Sequence, residues 1–344
     1  MFGLKHKRVR IVLATGFFFL PGTPGLAGEG GGKKPGVKIK GRVSTGFESK
    51  AFKKGESEWD VKLRFKTKRH HDTRAIAVLR GKSDDVEGVY VQDAWIDHKT
   101  GKKRRLQIGL NKKKLGTEYQ FGEQERLTIR RSMLYQKLEV FAYVGREQSV
   151  RYVAKADPDK NEWGYEVSAG YAESLDGDLM LHLHRPLDQG SWNFGSWFLL
   201  QWDRINETRQ TVWASVFSLW SREEPHHWEA ELMAGQDPFD SELEKSYGDG
   251  KNVYYYGAKA QYGYRIDLGD ERAIEPLGLT SWVVHDEEYP SYNTLQVLVG
   301  VRYHVADNFR VALNLDGVGT NSKIDTDDRS YDESSAAFEV QLFF

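Results

Sequence analysis

Six basic residues stand out by their spacing. Lys38, Lys40 and Arg42 recur at every second position, and so do Lys62, Arg64 and Lys66. Val37, Ile39 and Val43 alternate with the first set; Trp59, Val61, Leu63 and Phe65 alternate with the second. A period of two sends successive side chains to opposite faces of a strand. Each run therefore has a cationic face and an apolar one. Guanidinium and ammonium groups gathered on one wall attract anions, which is how Arg/Lys patches select anions in pores. Arg302 and Arg310 hold the same polar phase in two later alternating segments, 295–303 and 309–315. Asp60, Asp316 and Glu339 dilute the cationic set. The plainer reading is that these charges merely solvate a wet surface.

Other constellations promise less. His182 and His184 share a strand face, as metal ligands can, but no third ligand accompanies them, so neither a metal site nor a cofactor is expected. His70-His71 and His226-His227 fall in turns, and Asp325, Asp327 and Asp328 read as a solvated acidic loop. Glu229 and Glu231 are paired on one strand without a nucleophile motif, so the chain is expected not to be an enzyme. The chain has no Cys, which excludes disulfide and thiolate chemistry. Between Lys38 and Arg80 there are 13 Lys/Arg against 5 Asp/Glu. Such a stretch would suit nucleic acid, but export and strand-like alternation argue against that partner.

The elements that position these residues read as follows. Residues 1–27 form a secretory signal: basic Lys5, Lys7, Arg8 and Arg10, an apolar run, then Gly25-Leu26-Ala27 as the cleavage site. Residues 28–36 are a flexible lead-in, and 37–344 a single domain. Losing the four basic residues of the signal takes the formal charge from −1 to −5. Sixteen alternating segments follow, separated by turn residues. No other apolar run reaches the roughly 20 residues of a membrane helix. Mean hydropathy is −0.62, and Trp 10, Tyr 17 and Phe 17 are abundant. Both suit a transmembrane barrel, where alternate residues face a polar lumen and aromatics girdle the interfaces.

The connections agree. Turns after even-numbered segments are short, whereas every long connection, including SKAFKKGESE at 49–58, follows an odd-numbered one. That sorting implies an all-β, closed transmembrane antiparallel β-barrel of about 16 strands with both termini in the periplasm. Sixteen strands leave a water-filled lumen. The phase of the segments near 73, 191, 208 and 272 is ambiguous. Residues 114–146 form a connection long enough to be functional. Its position after strand 5 and its apolar content predict an inward fold that narrows the lumen, with Glu118, Glu123, Arg130 and Arg131 as candidate constriction residues. The final stretch alternates Phe338, Val340, Leu342 and Phe344 with Glu339 and Gln341. It resembles the C-terminal signal read by the barrel-assembly machinery.

Residues 91–119, with RRSMLYQ and VGREQSV after them, resemble the phosphate-selective porin O/P family. The resemblance rests on Asp93-Ala94-Trp95, on Gly109, Lys112, Gly116 and Glu118, on Arg131-Ser132, and on Gly145-Arg146-Glu147. It departs at Leu110, Asn111 and Lys113, and covers about 60 residues in detail. It implies a porin of the bacterial outer membrane that passes small anions such as phosphate, or other small hydrophilic solutes, amid outer-membrane lipid and lipopolysaccharide. Sixteen-strand relatives imply a homotrimer. The competing expectation is a barrel with a plugged lumen, acting as a barrel enzyme or an adhesin.

Overall fold

The computed structural model describes residues 36–344 apart from 51–53, 84–87, 122–124, 158–161, 173–174, 188–190, 206–207, 238–252, 286–292 and 322–333. The expected signal at 1–27 and nearly all of the expected lead-in, with Glu123 and Asp325, Asp327 and Asp328, lie outside the described residues. The alternation becomes β1 (Val37–Lys50), β2 (Lys54–Thr67), β3 (Thr73–Lys82), β4 (Val89–Lys99) and β5 (Arg104–Lys113). Two short helices, α1 (Thr117–Gln120) and α2 (Met133–Val140), come next. Then follow β6 (Gly145–Ala154), β7 (Gly164–Ala172), β8 (Leu175–Leu187), β9 (Trp192–Ile205), β10 (Thr208–Ser221) and β11 (His226–Gln236). The wall is completed by β12 (Tyr254–Tyr264), β13 (Ile266–Gly269), β14 (Arg272–Val284), β15 (Asn293–Ala306), β16 (Phe309–Asn321) and β17 (Ser335–Phe343). β13 continues β12 beyond Arg265 and pairs with the start of β14, so the described wall has sixteen staves.

Each stave, with β12 and β13 taken as one, pairs antiparallel with the staves before and after it, and β1 pairs with both β2 and β17. The sheet thus closes on itself. Closure matters because an open ladder edge cannot be satisfied in hydrocarbon. Register settles which phase faces out. Val43 stands opposite Leu342 and Phe47 opposite Phe338, and these side chains are exposed together with Phe198, Phe217, Leu232, Val297 and Leu315. A one-residue slip would send Lys and Arg to this face, at roughly 2–4 kcal/mol each near a bilayer midplane.

Both ends of the described chain lie at the end of the barrel that carries the short turns, such as 222–225, 270–271 and 307–308. The β1–β2 connection departs from expectation. A long connection over 49–58 is predicted, but the ladder runs on to Lys50 opposite Lys54. Polar composition reads as loop, yet backbone ladder bonds do not depend on side-chain polarity.

The seam depends on a glycine. Gly41 and Phe344 exchange backbone hydrogen bonds of 2.7 and 3.0 Å. A Cβ on Gly41 would lie 2.1 Å from the Phe344 ring, so a larger residue there would push the terminal ring out of its place on the seam. Gly41→Val and deletion of Phe344 are each expected to cut the yield of folded, membrane-inserted barrel several-fold. Semi-native gel mobility of membrane fractions measures this, and wild-type yield from both variants would remove the seam from the assembly argument.

Candidate functional site: the lumen and its inward loop

The described residues between β5 and β6 pack against the inside of the barrel. Leu115, Leu134, Tyr135, Leu138, Phe141 and Tyr143 are fully buried against the inner face formed by Met180, Trp197, Leu199, Val212, Val216 and Met233. This sector of the lumen is therefore apolar rather than wet. Its strands are apolar in both phases: Trp197 and Leu199 point in, Phe198 and Trp202 point out.

The start of α2 is held by strand side chains. A helix leaves its first N–H groups without intrahelical partners. Here Ser132 N–H donates to the Glu118 carboxylate at 3.2 Å, Met133 N–H to Gln296 Oε1 at 2.8 Å and Leu134 N–H to Ser281 Oγ at 3.4 Å. The last two acceptors belong to β15 and β14, so the helix is fixed to the wall through its own backbone.

A second attachment is ionic. Lys259 of β12 is fully buried, with Nζ 3.0 Å from Glu118 and 2.7 Å from Glu231, and it also pairs with Glu229. Around these carboxylates, Thr117 Oγ1 donates to Glu229 at 2.5 Å, Thr117 N–H to Glu231 at 3.0 Å, Tyr135 to Glu231 at 2.7 Å and Ser218 to Glu231 at 2.6 Å. Arg222 Nη2 lies 2.8 Å from the other Glu229 oxygen. Burial, reinforced by the carboxylates of Glu231, Glu118 and Glu229, pushes the Tyr135 hydroxyl well above its ordinary pKa. It stays a donor. Three carboxylates and two cations, with hydroxyl and backbone donors around them, join the loop to β11 and β12. Glu229 and Glu231 are committed to this network. Lys259 was missed in the sequence; its one signal was a lone cation in the small-residue segment Gly257-Ala258-Lys259-Ala260.

On the opposite wall, register stacks the predicted cations in rows. Lys38 faces Lys66, Lys40 faces Arg64, and Arg42 faces Lys62, which in turn faces Arg80 of β3. Arg42 is buried and pairs with Asp60, which also takes Arg80 Nε at 2.8 Å. Lys38, Lys40, Arg64 and Lys66 make no ion pair among the described residues, and Arg64 lies 5.6 Å from the Trp95 ring. Arg74 and Arg80 extend the wall into β3, where the ambiguous phase had hidden them. Arg302 is buried, pairs with Glu275 at 3.2 Å and donates to the Arg126 carbonyl of the loop. Arg310 is buried and donates to Gln341.

Of the candidate constriction residues, Glu118 is buried in the Lys259 network. Arg131 pairs with Glu139 inside the loop, its guanidinium 4.0 Å from the Tyr119 ring centroid. Arg130 reaches the far wall, donating to Glu48 of β1 at 2.9 Å and Ser335 of β17 at 3.0 Å. A cavity of about 190 Å³ lies between this part of the loop and the wall, bounded by Arg42, Arg80, Lys82, Arg126 and Arg130 and by Glu48, Asp60 and Glu339. His182 stacks on Trp197 with centroids 4.2 Å apart, and among the described residues no group of three metal-ligating side chains occurs.

A closed sixteen-stave antiparallel barrel with its longest described connection folded into the lumen has the architecture of outer-membrane porin barrels. No protein-family model and no curated protein matches this chain. Solved structures do. OmpT, an outer membrane protein of Vibrio cholerae in its trimer form, superposes with a TM-score of 0.62 at 11% identity, over 91% of this chain and 100% of that one. The outer membrane channel DcaP of Acinetobacter baumannii gives 0.62 at 13%, over 90% and 97%. OmpF of Salmonella typhi, in complex with daunomycin, gives 0.63 at 11%, over 90% and 97%. At these identities the likeness is one of fold. The similarity of residues 91–150 to phosphate-selective porins O/P stays a local resemblance.

Proposed function

We propose that this chain is a bacterial outer-membrane porin: an exported, water-filled channel for passive diffusion of small hydrophilic solutes, leaning to anions. The observation that carries this reading is the stack of like charges on β1–β3. Opposed like charges destabilise a ladder; Asp60 offsets the Arg42–Lys62–Arg80 row, and a folded barrel tolerates the other two rows, Lys38–Lys66 and Lys40–Arg64, where water and mobile anions screen them. The free cavity borders this same wall. The inward loop presses its apolar side on the opposite sector, which supports a passage displaced towards the cations. A shared fold with a trimeric outer membrane protein supports a homotrimer. The short-turn end would face the periplasm, the longer connections would meet lipopolysaccharide, and β17 would be the strand read during assembly.

Single-channel recording in planar bilayers tests the channel. Stable ohmic steps are expected, and excision of 125–131 is expected to enlarge them about two-fold or more by removing Arg126 and Arg130 from the lumen. A silent wild-type barrel would favour a plugged adhesin or enzyme. Steps unchanged by the excision would place the conducting path away from the loop. If phosphate has a dedicated site, millimolar phosphate will block chloride current; without that block the channel is a general one.

A further inference from the structure

The cavity beside the loop carries charge of both signs, sorted by ladder row. Register aligns Arg42, Lys62 and Arg80 on one lumen-facing row of β1–β3, and Gln341, Ser44, Asp60 and Lys82 on the next row of that face. One row further along, Glu339 of β17, Gly46 of β1 and Glu58 of β2 stand side by side. The cavity of about 190 Å³ borders members of all three rows, and Arg126, Ile129 and Arg130 border it from the loop. Small residues leave the space open. Ser44, Gly46 and Ala337 line it, and a Cβ on Gly46 would already lie 2.8 Å from the Phe338 carbonyl oxygen.

The carboxylates here have two fates. Asp60 pairs with Arg42 and Arg80, and Glu48 pairs with Arg130. Glu339, half-buried, and Glu58, exposed, make no ion pair and no side-chain hydrogen bond among the described residues. Arg302 and Arg310 act on Glu339 through charge at longer range. A simple anion entering the cavity would meet the guanidinium groups but bring a like charge to Glu339 and Glu58. A simple cation would match those two carboxylates and oppose Arg42, Arg80, Arg126 and Arg130. A solute with both signs a few bonds apart answers both sets, and each contact is a charge-assisted hydrogen bond, the stronger class.

We propose that the cavity is a binding subsite for a small zwitterion, an α-amino acid with a short uncharged side chain. Its ammonium donates to Glu339 and Glu58, and its carboxylate accepts from the guanidinium groups of Arg42, Arg80 and Arg126. The proposal deepens the channel reading above by naming a solute class. The cavity has room for several waters, the bulk of glycine, alanine or serine.

The purified barrel, folded in detergent, is probed by saturation-transfer NMR with L-alanine, acetate and methylammonium in turn. L-alanine is expected to bind about ten-fold more tightly than either half-molecule, the worth of one added charge-assisted hydrogen bond. The double variant Glu58→Gln and Glu339→Gln preserves the shape of the wall. It should weaken L-alanine about ten-fold while acetate binds at least as well as before. Ala337→Leu fills the cavity without changing its charge and should weaken all three probes. Heat-modifiable gel mobility confirms that each variant is folded. Equal affinity of the wild type for L-alanine and acetate overturns the proposal, and so does L-alanine binding unaltered in the double variant or in Ala337→Leu. Conductance separates the two claims. Ohmic steps without a preference for L-alanine fail the subsite alone, whereas a silent barrel that still prefers L-alanine fails the channel reading alone.

Discussion

Lys259→Met will loosen the constriction loop and lower the stability of the barrel. The substitution keeps most of the side-chain volume but removes the charge that Glu118, Glu229 and Glu231 share. Removing one partner of a buried ionic cluster leaves uncompensated charge, and typically costs about 3–5 kcal/mol. The strands cannot move to relieve it, because β11 and β12 are bonded along an eleven-pair register from His226 to Gln236. The loop can. Glu118 and Thr117 should leave the network, withdrawing an acceptor from Ser132 N–H at the start of α2. Channel recordings are expected to show larger, flickering steps, and thermal unfolding in detergent should begin earlier. Adding Glu231→Gln should restore part of both, since it removes one of the stranded charges. Wild-type conductance and melting in the single variant would mean that α2 is held by its apolar face alone.

Arg42→Glu, Lys62→Glu and Arg64→Glu together are expected to shift the selectivity of the proposed channel from anions towards cations. The three positions occupy adjacent rows of one wall, and Arg42 borders the free cavity. In a narrow lumen with low-dielectric walls the local field follows the nearest fixed charges. Exchanging three of them outweighs the chain's small formal net charge of −1, to which acidic connections such as 241–250 and 325–334 contribute. The competing influence is Asp60, which already neutralises part of Arg42 and Arg80. Zero-current potentials under a salt gradient decide the matter. A cation-selective wild type, or a triple variant with unaltered potential, would leave the cationic rows a structural rather than a selective feature.

Much of this was legible in the chain itself. Strand number, closure and the sorting of connections follow from period-two alternation and from the cost of charge or unpaired backbone in lipid, and both are local to each segment. The cationic phase of β1 and β2 was legible for the same reason, because Lys38, Lys40 and Arg42 stand against Val37, Ile39 and Val43. The tertiary structure alone decided what the lumen contains. The β9 and β10 segments were ambiguous because Trp197, Leu199, Val212 and Val216 are apolar for the sake of a loop arriving from β5, a contact no local pattern encodes. Likewise Lys259 becomes a loop anchor only when Glu118, more than a hundred residues earlier, is folded back against it. Alternation records whether a side chain meets lipid; what it meets on the inner side depends on which distant segment the closed barrel encloses.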